Sequence, residues 1–252
     1  MKILIVTKNE DCLESEKIKK DFKELNISIT SLQDLKLQHF KDKDLVITVG
    51  GDGTFLSASH YTDNQLILGV NSNKEKSEGA LCPITISELP KKLKKIINKE
   101  LNVKEYVREK VCITKKEKCI ITEQALNETY IGNQNPHHPS NYILEYKDKT
   151  ETQRSSGILI TTGTGSTAWY KTMGGWPFSR IKQQLRFRVR EPYTRRIHKS
   201  TILNGKIELG EKIKITSTMN HGLVAIDSIR TYPLELDDKI EISIGTPLRA
   251  IQ

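Results

Sequence analysis

Residues 44 to 54 read Asp44-Leu45-Val46-Ile47-Thr48-Val49-Gly50-Gly51-Asp52-Gly53-Thr54. An apolar, mostly β-branched run empties into two glycines, a carboxylate, a third glycine and a hydroxyl residue. The run has the length and composition of a buried strand. The glycines let the chain turn sharply and bring bare N–H groups close to a diphosphate, because no Cβ blocks the approach. Thr54 is expected to cap a helix starting at Phe55-Leu56-Ser57-Ala58-Ser59, whose positive end then faces the same spot. An ordinary βα turn that uses Gly and Asp for shape alone accounts for these residues equally well.

Working outward, Lys2 to Thr7 is a second short apolar strand. Leu13, Ile18, Phe22 and Leu25 fall between the two strands on a segment dense in Lys and Glu, as an amphipathic helix requires. Strand, helix, strand predicts a parallel sheet. Leu66 to Asn71 continues it, and Ser87 to Lys99 places Leu89, Leu93, Ile96 and Ile97 on one helical face with lysines opposite. Beyond about residue 103 short alternating runs take over, as in Val111-Cys112-Ile113, Ile143-Leu144-Glu145-Tyr146 and Lys206-Ile207-Glu208-Leu209, separated by turn clusters such as Asn133-Gln134-Asn135-Pro136 and Asn204-Gly205. The expectation is an α/β domain over residues 1–103 and a β-rich domain over 104–252 with one helix after Gly165, the extreme C-terminus packing back on the first domain.

The formal charge of +9 favours polyanionic partners, while an aromatic content of 6% supplies few platforms for stacking bases and disfavours nucleic acid. No apolar stretch approaches the roughly 20 residues that cross a bilayer. Met1 to Thr7 reads as a strand already under way, neither signal peptide nor transit segment, which makes a cytoplasmic location the expectation. Cys12, Cys82, Cys112 and Cys119 form no Cys-x-x-Cys pair and have no His at ligand spacing, so reduced structural thiols are expected.

Three constellations in the second half carry polar chemistry. Asn127-Glu128 stands among apolar residues in Ala125 to Gly132; an amide beside a carboxylate suits the paired hydroxyls of a ribose, and a surface turn accounts for it too. Ser155 to Tyr170 is a strand that empties into Thr162-Gly163-Thr164-Gly165-Ser166-Thr167-Ala168, a second phosphate-grade turn whose hydroxyls can serve polar groups, with neither the Walker nor the Rossmann spacing. Arg186 to Arg196 is dense in guanidinium; Arg190 and Arg195 suit phosphate recognition, whereas Arg186 and Arg188 read as the decoration of an exposed strand. His137 and His138, between Pro136 and Pro139, read as a loop and not a metal site.

Taken in order, Gly50-Gly51-Asp52-Gly53-Thr54, Asn127-Glu128 and Thr162 to Ala168 make the chain resemble the NAD kinase family, and Gly69-Val70-Asn71, Ser155-Ser156-Gly157, Trp169 and Arg190-Glu191-Pro192 make it similar to that family's mitochondrial type. The resemblance implies an α/β domain carrying the GGDGT turn, a β-sandwich domain carrying the NAD site, and catalysis in the crevice between them. It implies phosphoryl transfer from ATP, or another donor, to the 2′-hydroxyl of the adenosine ribose of NAD, giving NADP. Asp52 is then the general base. Gly50, Gly51, Gly53 and Thr54, with Arg190 and Arg195, serve the phosphates. Asn71, Asn127, Glu128, Arg154, Thr162, Thr164, Ser166, Thr167, Ala168 and Asp227 serve NAD. Mg²⁺ is carried on the donor phosphates, with no metal ligand assigned among the protein's side chains, and the implied assembly is a homodimer or homotetramer with NAD sites completed by a neighbouring subunit.

A ribose hydroxyl is a poor nucleophile at neutral pH, so one positioned carboxylate contributes roughly 10²–10⁴-fold. Positioning and Mg²⁺ supply most of the rest. Two departures from the common bacterial pattern stand out: Ser156 where many members have Asp, and Ser228 after Asp227 where glycine is usual. The rival readings are a GGDGT-type lipid or sugar kinase and a catalytically silent NAD-binding or nucleotide-binding protein.

Overall fold

A computed structural model describes residues 1–8, 13–75, 78–193 and 200–252, which form two compact units: Met1–Glu105 with Leu248–Gln252, and Tyr106–Pro247.

The first unit is α/β. In chain order it contains β1 (Lys2–Thr7), α1 (Leu13–Asp21), β2 (Asn26–Ser31), β3 (Leu45–Gly50), α2 (Asp52–Ser59), β4 (Leu66–Asn71), β5 (Ile84–Thr85), α3 (Leu89–Ile97) and β6 (Val103–Tyr106). The sheet order is β2-β1-β3-β4, then the C-terminal strand Leu248–Ile251, then β6, with β5 beside β4. The pairs β1–β2, β1–β3, β3–β4, β4–β5 and β4 with the C-terminal strand are parallel. Helices cover the sheet, which is why β3 is buried along its whole length. Ile3, Ile5, Ile47, Leu68 and Val70 share one core with Ile18, Phe22, Leu89, Leu93 and Ile96, while α2 packs against β1, β3 and β4. Ile97, expected on the buried face of α3, is exposed instead, since Leu89, Leu93 and Ile96 already complete the apolar stripe. β2 carries only Ile27 and Ile29 among polar residues and has no apolar run to mark it as a strand.

The second unit is an antiparallel β-sandwich. Its strands are β7 (Glu109–Lys115), β8 (Lys118–Ala125), β9 (Glu128–Asn133), β10 (Ser140–Tyr146), β11 (Lys149–Ser155), β12 (Ile158–Thr161), β13 (Gln184–Val189), β14 (Asn204–Glu208), β15 (Lys212–Ser217), β16 (Gly222–Ile226), β17 (Arg230–Leu234) and β18 (Lys239–Ile244), with a one-turn helix, α4 (Trp169–Thr172). One sheet runs β11-β10-β15-β18-β7-β8 and the other β14-β13-β12-β9-β16-β17. Alternate residues turn inward: Val111, Ile113, Tyr142, Leu144, Ile213 and Ile240 of the first sheet share a core with Ile131, Ile158, Ile160, Phe187 and Val224 of the second. Arg186 and Arg188 alternate outward from Leu185, Phe187 and Val189; the Arg186 guanidinium lies 4.5 Å from the Phe178 ring centroid and donates to Trp176 O at 3.0 Å.

The cysteine expectation fails at one pair. Cys112 and Cys119 are joined by a disulfide across the β7–β8 hairpin, while Cys82 is free and buried and Cys12 lies outside the described residues. Hairpin pairing, interrupted by a register shift between Ile113 and Thr114, brings the two sulfurs together. Sequence spacing does not report such cross-strand neighbours.

Candidate active site

On the α/β unit the apolar strand β3 ends at Gly50 and α2 begins at once. The helix starts at Asp52 with Gly51 as its N-cap, three residues earlier than a Thr54 cap would place it. Thr54 lies in the first turn and is buried; its N–H donates to Gly51 O at 3.0 Å, and its side chain fills the space where a Gly50 Cβ would sit, 2.2 Å from Thr54 Oγ1. Gly53 faces open space. Asp52 is half-buried in the first turn, where the helix dipole favours a negative charge. Its Oδ1 accepts the Leu81 N–H at 2.8 Å and its Oδ2 the Ala80 N–H at 3.0 Å. Asn71, at the end of β4, is buried and accepts the Asn73 N–H at 2.9 Å, which shapes the loop that follows.

On the sandwich unit the structure gathers Asn127, Glu128, Asp227 and the 162–167 loop at one end of β9 and β12. Asp227, 2% exposed, sits in the turn after β16 and accepts the N–H groups of Leu126 (2.8 Å), Asn127 (2.7 Å) and Glu128 (3.0 Å). Thr162 bolts the loop to the same segment: its hydroxyl donates to Leu126 O and accepts the Thr164 N–H at 3.0 Å, and its own N–H donates to Asn127 O at 2.9 Å. Gly165 is required by that closeness, for a Cβ there would lie 2.3 Å from Asn127 O. The protein's own packing therefore demands this small residue before any ligand does.

The loop hydroxyls divide by their partners. Ser166 is fully buried and spent on backbone, donating to Gly163 O at 2.7 Å and accepting the Phe178 N–H at 3.0 Å, so it serves the loop. Thr164 is 5% exposed and its Oγ1 has no hydrogen-bond partner among the described residues. Thr167 and Ala168 are exposed.

Charge in this unit is unevenly borne. Three amides satisfy the Asp227 carboxylate. Burial, and next the Asp227 charge, push the Glu128 carboxyl up to about 7, and one of its oxygens has no partner among the described residues. Glu109 is fully buried, and burial holds its carboxyl well above the ordinary carboxylate range.

Arg190 stands with aromatic residues that the sequence reading left without a role. Tyr130 and Trp169 pack at 5.1 Å between ring centroids, and the Arg190 guanidinium lies 5.9 Å from the Trp169 ring. They line a pocket of about 280 Å³ with Ser156 and Glu191, whose carboxylate accepts the Ser156 hydroxyl at 2.6 Å. Tyr130 is on β9 and Trp169 opens α4, so the pair is made by tertiary packing and no local pattern could announce it. Arg154 lies elsewhere, on the edge strand β11 of the opposite sheet, over the Tyr193 ring at 4.8 Å. Arg195 lies outside the described residues.

Residues 5–101 match the family model described as the ATP-NAD kinase N-terminal domain. The NADH kinase of Arabidopsis thaliana is 29% identical over 230 residues, covering 82% of this chain and 72% of that protein. Two solved structures superpose over the whole chain: yeast NADH kinase complexed with NADH (TM-score 0.80, 17% identity, 83% of that chain) and an NAD kinase from Archaeoglobus fulgidus in complex with ATP (TM-score 0.78, 19% identity, 94% of that chain). At such identities the structures speak for the fold, and together with the sequence matches and the GGDGT junction at the end of β3 they make the chain similar to the NAD kinase family, whose N-terminal domain its residues 5–101 match.

Proposed function

We propose that the protein transfers the terminal phosphoryl group of ATP to the 2′-hydroxyl of the adenosine ribose of NAD or NADH, giving NADP(H) and the nucleoside diphosphate. The observation that carries this reading is Asp52, a carboxylate set in the first turn of α2 directly after a glycine turn, with one backbone amide on each oxygen. In this proposal Asp52 accepts the proton of the 2′-hydroxyl. The ribose oxygen forms a bond to the γ-phosphorus, and the bond from that phosphorus to the bridging oxygen breaks as the diphosphate leaves. The N-terminal amides of α2 and the open side of Gly53 receive phosphate oxygens.

The remaining roles follow the chemistry of each group. Asn127 and Glu128 hold ribose hydroxyls; a carboxyl that titrates near neutrality both donates and accepts a hydrogen bond. Thr164, with a buried and unpartnered hydroxyl, hydrogen-bonds the dinucleotide, and Thr167 and Ala168 contact its bases. Arg190 serves phosphate. Mg²⁺ carried on the donor phosphates would neutralise the charge developing there. A homodimer or homotetramer belongs to the same proposal on the family resemblance alone.

Relatives named NADH kinase and NAD kinase support both acceptors, and the structure of a neighbour with ATP supports that donor. The test is an activity matrix of ATP and polyphosphate against NAD, NADH, diacylglycerol and sphingosine. Turnover confined to the dinucleotides is the expected result. Turnover of a lipid alone would establish the rival kinase, and NAD binding without NADP formation the silent binder.

A further inference from the structure

Two backbone amides meet the Asp52 carboxylate, and both come from a single tight turn. That turn closes when Cys82 N–H donates to Gly79 O at 3.0 Å, and its two middle residues supply the donors, Ala80 N–H to Oδ2 at 3.0 Å and Leu81 N–H to Oδ1 at 2.8 Å. The turn lies against β4, at Gly69. A Cβ on Gly69 would stand 2.3 Å from Leu81 O and 2.9 Å from Cys82 Cα. These are backbone atoms, which no rotamer change can withdraw, so any larger residue at position 69 moves the turn. Gly69 pairs with Thr48 of β3, the strand that delivers Asp52 two residues after its end at Gly50. One rigid sheet thus sets both the carboxylate and the turn that grips it.

We propose that Gly69 and the 79–82 turn are positioning elements for the general base: the glycine lets the turn descend, and the Ala80 and Leu81 amides fix the direction in which the Asp52 carboxylate faces the ribose hydroxyl. The inference rests on the reading of Asp52 as the base. Its physical reason is the steep dependence of proton transfer on geometry. A carboxylate free to rotate about its side chain spends much of its time misdirected, and a displacement of about 1 Å costs on the order of 100-fold in rate. Cys82 fits the same arrangement. Burial, and next the neighbouring Asp52 carboxylate, push its thiol up to about 12, so at neutral pH it stands beside Asp52 as a neutral S–H group and not as a repelling thiolate.

Two variants test it. Gly69→Ala shifts the turn, and replacement of Leu81 by its α-hydroxy acid analogue, leucic acid, deletes one N–H while keeping the side chain. Each is expected to lower kcat about 10- to 100-fold, with the calorimetric affinity for NAD unchanged. That split separates positioning from general damage, which would weaken binding as well. Should Gly69→Ala fail to fold, the ester variant decides alone. Wild-type kcat in the variants, or parallel losses of kcat and NAD affinity, would overturn the inference if Asp52→Asn is inactive in the same assay. Full activity of Asp52→Asn would instead remove the base assignment on which it stands.

Discussion

Asp227 accepts the backbone N–H of Asn127 at 2.7 Å, which ties the turn after β16 to the segment that leads into β9. The same carboxylate holds the N–H groups of Leu126 and Glu128, in a site almost closed to water. Asp227→Asn turns one acceptor oxygen into a donor that faces amide donors. The expected cost is about 3 kcal/mol, as for a buried charged acceptor whose partners are left unsatisfied. Urea unfolding of the sandwich unit measures it, and an unchanged midpoint would show that the clamp carries no stability.

Ser228 follows Asp227 in the same turn with φ +55, and Asp227 itself has φ +52. Both residues occupy the left-handed region, as in a type I′ turn closed by Ile229 N–H donating to Ile226 O at 2.9 Å. Ser228 is exposed and has a Cβ that this conformation strains. Ser228→Gly is expected to stabilise the unit by about 1 kcal/mol, the relief of strain outweighing the added freedom of the unfolded chain. A lower midpoint for the glycine variant would contradict that balance.

Glu128 makes stability depend on pH in a defined direction. Its folded-state carboxyl is raised to about 7, so between the unfolded-chain value of about 4.3 and 7 the folded protein binds more protons than the unfolded one. Stability from this group is therefore complete below the lower value and falls as pH rises through 7, by about 4 kcal/mol in all. Glu109 acts in the same direction. Glu128→Gln is expected to flatten the decline in the urea midpoint between about pH 5 and about pH 8, and an unaltered slope would show that Glu128 is not the titrating group.

Thr164 offers a separable test of the sandwich loop. Its buried hydroxyl has no partner among the described residues, so Thr164→Val is expected to leave stability unchanged or raise it. The same change removes a hydrogen bond proposed to reach the dinucleotide and is expected to weaken NAD binding about tenfold. Wild-type affinity measured by calorimetry would take Thr164 out of the binding set.

The legible parts of the chain were those with local signatures. Leu45 to Gly50 and Leu66 to Asn71 are continuous apolar runs that burial on both faces demands, and the 3.6-residue spacing of Leu89, Leu93 and Ile96 marks α3. Alternation marked the sandwich strands, as at Val111 and Ile113. β2 escaped because Asn26-Ile27-Ser28-Ile29-Thr30-Ser31 is too polar to stand out, and it is held as a strand by pairing with β1. The Cys112–Cys119 disulfide, the Tyr130–Trp169 pair and the turn on Asp52 depend on register and loop placement, which no window of sequence contains. Ser166 shows the converse limit, since a hydroxyl in a glycine-rich loop reads as ligand chemistry until its backbone partners are known.

The decisive measurement is turnover of NAD with ATP by Asp52→Asn, run beside calorimetric NAD binding. The variant keeps the shape and size of the side chain, loses the capacity to take a proton, and turns one of the two oxygens that accept the Ala80 and Leu81 N–H groups into a donor. A fall in kcat of about 10²–10⁴-fold with NAD affinity retained is the predicted result. Wild-type kcat in that variant would contradict the account at its centre.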